Sequence, residues 1–137
     1  METYRLLAAS RRYVLEHAYE TVFVLCRATG QRTAVAFHHG DPVCGIIAPD
    51  ETWFATAGEG VAVFRFDGGS TTYLRDGGTP WHVSAMRLDG SDTLRFLVDP
   101  WSDQASVWQL HPGTRHLVKL RDGPYLRDQP YRETVDY

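Results

Sequence analysis

LAASRRYVLEHAYETVFVLCRATG (residues 7–30) and IAPDETWFATAGEGVAVFRFDGG (residues 47–69) decide the fold, because the first overlays the second after a shift of 39 residues. Leu7 falls on Ile46, Ala9 on Ala48, Leu15 on Phe54, Ala18 on Ala57, Glu20 on Glu59, Val22 on Val61, Val24 on Val63 and Gly30 on Gly69, with no internal gap. A third copy, MRLDGSDTLRFLVDPWSDQASVWQLHPG (residues 86–113), carries five extra residues. Six residues before each closing glycine stand Val24, Val63 and Val107; five before stand Leu25, Phe64 and Trp108; five after stand Val35, Leu74 and Val118. A shared core would constrain such positions, and a period of this length marks a repeat architecture.

The repeat also settles the local structure. Residues 3–18 alone could be helical, since Leu7, Ser10, Val14 and Ala18 fit a 3.6-residue spacing behind Thr3. The equivalent segment 42–57 is interrupted by Pro49-Asp50 and closed by Gly58 and Gly60, which is turn chemistry. Strands are therefore expected at 4–9 and 12–18, and in the second copy at 43–47, 52–57, 61–66 and 70–74. Leu88-Asp89-Gly90-Ser91-Asp92 reads as a hairpin turn before the strand-forming run 93–98. Gly68-Gly69 and Gly77-Gly78 read as loop glycines. The chain thus divides into units at about 4–37, 42–76 and 82–120 within one domain, 1–137, followed by an extended tail, 121–137.

SVWQLHPGT (residues 106–114), with Trp108 five residues before Gly113, and Phe37-His38-His39-Gly40 ahead of Val43 are similar to segments of WD-repeat and related β-propeller blades. The Trp-Asp pair of that family is absent: Gln109 follows Trp108, and Cys26 and Arg65 stand at its equivalents. The resemblance implies an all-β chain of three four-stranded antiparallel meanders. Closed propellers use about 4–8 blades, so three units close a ring only if two chains pair. An open sandwich or partial propeller within one chain is the expected arrangement, and a homodimeric ring is the alternative.

Composition bounds the function. With 137 residues, 43% hydrophobic and 23% charged, the chain reads as one folded domain, and it has no apolar run long enough to span a membrane. A formal charge of −3 and a pI near 6.0 argue against direct nucleic acid binding and allow a cationic protein partner. METYRLLAAS carries no secretory signal pattern, so a cytoplasmic location is expected. Cys26 and Cys44 match neither a redox pair nor a zinc knuckle and are expected to be buried free thiols.

No nucleophile, metal or phosphate-loop motif is present, and no catalytic residue, metal or cofactor is expected. His38 and His39, being adjacent on a strand, should point to opposite faces, which suits a structural opening turn better than one metal. His111 and His116 should face each other across a hairpin. A small hydrolase or nuclease using His111 and His116 is a further alternative, although no carboxylate or Cys lies at ligand spacing from them.

The insertion in the third copy is the more informative feature. Trp101, between Asp99 and Asp103, has no evident core duty, although it could fold back onto the sheet edge. Trp53 and Trp108 align with core positions, whereas Trp81, beside His82, is expected at the surface. The tail adds Asp122, Asp128, Tyr131 and Glu133, an aromatic and acidic mixture. Trp81, His82, Asp99, Trp101, Asp103, Asp122, Asp128, Tyr131 and Glu133 are the expected partner-binding residues. In size and character the chain resembles the immunity proteins of bacterial toxin systems, including contact-dependent growth inhibition. That resemblance implies a basic toxin domain as partner, with carboxylates meeting its positive face. A sugar-binding lectin assembled from several chains is the alternative.

Overall fold

The computed structural model describes residues 3–76 and 79–137, and the expected Gly77-Gly78 loop lies outside them. Among the described residues every regular element is a strand. The first unit comprises β1 (Arg5–Ala9), β2 (Tyr13–Ala18), β3 (Thr21–Cys26) and β4 (Arg32–Phe37). The second comprises β5 (Cys44–Ile47), β6 (Trp53–Gly58), β7 (Gly60–Arg65) and β8 (Gly69–Tyr73). A two-stranded ribbon of β9 (Arg75–Asp76) and β10 (Thr79–Pro80) leads to β11 (Val83–Leu88), β12 (Leu94–Val98), β13 (Ser106–His111) and β14 (His116–Asp122). Each unit is a separate antiparallel sheet with its four strands in chain order, and none closes into a barrel. Three such meanders fit blade-like repeats arranged as an open, partial propeller.

The sheets stack face to face with the second in the middle. Leu15, Val22 and Val24 of the first sheet bury themselves against Phe54 and Phe64 of the second. Ala55, Ala57, Val61 and Val63, on the other face of the second sheet, pack on Leu94, Phe96, Trp108 and Leu110 of the third. Covered on both sides, β6 is buried along its whole length, which explains why it reads as a nearly continuous run of small and apolar residues. Apolar surface removed from water contributes about 25 cal/mol per Å², so burial at these two interfaces stabilises the stack. Gly45 lets β1 approach β5, since a Cβ there would lie 2.9 Å from Leu7 Cβ and 3.0 Å from Leu15 Cδ2.

The ungapped alignment needs a correction at β6. The β2–β3 turn leaves Ala18 paired with Thr21, whereas the β6–β7 turn pairs Gly58 with Gly60 and is one residue shorter. Gly60 makes that possible with a φ of +83°, where an added Cβ would sit 2.6 Å from Tyr73 O. In register, Leu15–Val24 therefore corresponds to Ala55–Val63 and Leu97–Val107, and Val14–Leu25 to Phe54–Phe64 and Phe96–Trp108. A one-residue slip exchanges the faces of a strand, so Phe54 stands on the opposite face from Leu15.

The closing glycines are not equivalent, since Gly30 and Gly69 adopt left-handed φ whereas in the third unit Arg115 does so and Gly113 does not. Two further expectations are corrected. Leu74 and Val118 are exposed rather than core. The third sheet extends to Asp122, which shortens the tail to residues 123–137. That tail folds back: Leu126 N donates to Pro100 O at 2.7 Å, Leu126 is buried, and Arg87 reaches the Tyr137 carbonyl at 2.6 Å. Trp53 and Trp108 are core, as expected. Among the described residues, no helix is long and apolar enough to cross a membrane.

Candidate functional site: a trough along one rim

Two cavities of about 330 Å³ each adjoin along one rim of the stack and share Val43, Val83 and Ser84. The connections there converge because each meander starts and ends on the same side. The β4–β5 link contributes His39, Asp41 and Val43, the β6–β7 turn Glu59, and the approach to β11 His82. The inserted β12–β13 loop contributes Asp99 to one cavity and Pro100 and Trp101 to the other, where Tyr131, Arg132 and Glu133 of the tail form the far wall.

The rim is held by backbone hydrogen bonds. Gly60 N donates to Trp81 O at 2.9 Å, Trp81 N to Leu74 O at 2.8 Å and Asp99 N to His82 O at 2.9 Å. Glu59 and His82 form an isolated antiparallel bridge. The 81–83 segment thus sews the second unit to the third and places His82 in the trough. Below it, buried His38 sets Nε2 2.8 Å from Thr56 Oγ1, while His39 stays exposed in the trough wall. Burial pushes the His38 pKa down. The two histidines do take opposite environments, but not for the expected reason: β4 ends at Phe37, so both lie in the β4–β5 link rather than on a strand.

The expected partner-binding residues fall into distinct places. His82, Asp99, Trp101, Tyr131 and Glu133 all line the trough. Tyr131 is 75% exposed, and its ring lies 5.4 Å from that of half-buried Trp101. Asp103 and Asp122 line a smaller cavity of about 90 Å³, where Asp103 pairs with Arg127 at 3.1 Å and Asp122 with Lys119 at 3.2 Å. Asp128 is exposed outside these cavities.

Trp81 is the correction. It is 4% exposed, 4.8 Å from the ring of Trp108 and 5.3 Å from that of Phe96. Proximity to Gly and Pro in the sequence suggested a loop tip, but the backbone there runs through the joint between two sheets. Asp41 and Glu59 were missed because each is a turn residue when read locally. For Glu59 the available signal was its recurrence, as Glu20 stands one period earlier; Asp41 had none.

His111 and His116 do pair in register across their hairpin. The structure adds a carboxylate that the local sequence did not supply, with Asp92 Oδ2 3.2 Å from His111 Nε2. Both side chains are open to solvent, away from the residues of the trough. Among the described residues, no three His, Cys, Asp or Glu side chains come together to hold a metal ion. Cys26 and Cys44 are free and half-buried.

No protein-family model matches the chain, and no curated protein matches it. Among solved structures it is similar to the tricorn protease, with a TM-score of 0.61 at 9% identity over 88% of this chain. The likeness spans 13% of that protein's chain and shows the fold alone.

Proposed function

We propose that this chain is a non-catalytic protein-binding module whose trough receives a cationic segment of its partner. The observation that carries the reading is the lining. Asp41, Glu59, Asp99 and Glu133 face the two adjoining cavities with Arg132 as the one Arg or Lys among the lining residues, beside the apolar surface of Val43, Trp101 and Tyr131. Opposite charge steers encounter, and partly desolvated aromatic anchors hold the complex. Immunity to a basic toxin domain is the form of this function that best suits a small acidic chain. Among the alternatives, the lectin reading loses one of its two surface tryptophans, because Trp81 is buried.

The test is co-expression with the toxin candidate encoded in the neighbouring reading frame, followed by co-purification and growth rescue. Replacing Glu59, Asp99 and Glu133 together by their amides should weaken binding by about 10–100-fold and make its loss with salt shallower. Unchanged rescue by that triple variant would place the partner elsewhere on the molecule.

A further inference from the structure

Register equivalence shows that one face is open in the first unit and covered in the other two. Phe54–Phe64 is covered by the first sheet, and Phe96–Trp108 by the second. The corresponding pair Val14–Leu25 lies on the outer face of the first sheet, beside Leu6, which is 68% exposed, and Phe23. At the other end, Leu97–Val107 is the pair that would cover a next unit. There the tail lies over the third sheet, with Tyr131 and Val135 sharing a cavity wall with Leu97.

We infer that the open face of the first sheet is the docking site for a second copy of this chain, which presents its tail-covered third sheet. Two observations point to this occupant. Within the molecule this type of face is covered twice, each time by the neighbouring unit stacked in the same direction, and every copy carries a third sheet at the end that continues the stack. The two ends also differ in charge: residues 4–37 hold five arginines against two glutamates, with Arg12 and Arg32 already ion-paired to Glu51 and Glu16, whereas the tail holds Asp128, Glu133 and Asp136 against two arginines. On the open face Arg32 lies 3.8 Å from the Tyr4 ring centroid and 2.6 Å from Glu16, a polar patch amid apolar surface that suits an acidic, tyrosine-bearing tail. Two head-to-tail contacts related by a twofold axis close the pair, and a rotation that failed to close would give larger assemblies.

Sedimentation equilibrium of the full chain tests this with two variants. Leu6→Asp alters the open face at an exposed position, and Asp128→Arg with Asp136→Arg reverses the tail charge. Circular dichroism serves as the folding control. The expected result is a mass of twice 15.5 kDa or higher, with association weakened at least about tenfold by each variant. A monomer throughout would overturn the inference and leave the face to a partner of another sequence. A dimer sensitive to Leu6→Asp but not to tail reversal would also overturn it, because the contact would then join two open faces.

Discussion

Arg12 and Glu51 stand one repeat period apart and touch, with Nε and Oε1 separated by 3.0 Å. Each sits in or beside the first turn of its unit, so stacking the units brings equivalent turns together. Glu51 also accepts from Ser10 Oγ at 2.5 Å and from Arg12 N at 2.9 Å. These bonds, the one from Ser10 first, hold its pKa down at about 2.

Acid should therefore loosen the joint between the first two units. A carboxylate whose folded pKa is depressed contributes stability above its ordinary value of 4.5, and loses it as the pH falls toward about 2. Denaturation midpoints taken between those limits should fall with pH in the native protein. The slope should be shallower in Glu51→Gln.

His38 carries the second pH dependence. It is 2% exposed and bonded to Thr56, and its depressed pKa favours the neutral ring in the folded state. The unfolded chain takes up the proton first as pH drops below the ordinary value of 6.5, so stability falls from there downward. Removing one partner strands the other, and Thr56→Val should cost about 1–3 kcal/mol in urea unfolding at neutral pH.

Trp81 and Trp101 should separate sharply. Trp81→Ala opens a hole against Trp108 and Phe96 and should cost about 3–5 kcal/mol, with loss of near-ultraviolet dichroism from the ring pair. Trp101→Ala should cost less, because its ring is half-buried against Tyr131 of the tail rather than between sheets. Equal losses in thermal unfolding would mean that the inserted loop is core.

The thiols should react in order. Thr29 hydrogen bonds lower the Cys26 pKa, whereas burial pushes Cys44 up to about 11. The thiolate is the reacting form, so a disulfide reagent at neutral pH should titrate Cys26 first and leave Cys44 as a slow second phase. Mass analysis of the labelled peptides identifies which is which.

Much of the architecture was legible because the constraint is local and recurs. Val24, Val63 and Val107 mark the third strand of each sheet, and Pro49-Asp50 rules out a helix in the second copy and so in the first. The slip at β6 was not legible. An ungapped alignment counts residues, whereas the Gly58–Gly60 turn changes which face each side chain takes.

The sequence by itself determined three four-stranded meanders, an inserted loop carrying Trp101, and an acidic, aromatic tail. Period, turn chemistry and composition act along the chain, and each is visible in it. Only the tertiary structure decided that Trp81 is core and that Asp41, Glu59, Asp99 and Glu133 share a trough. The reason is that burial and convergence depend on how separate sheets stack. That stacking is set by long-range apolar contact between faces, which no local window of residues contains.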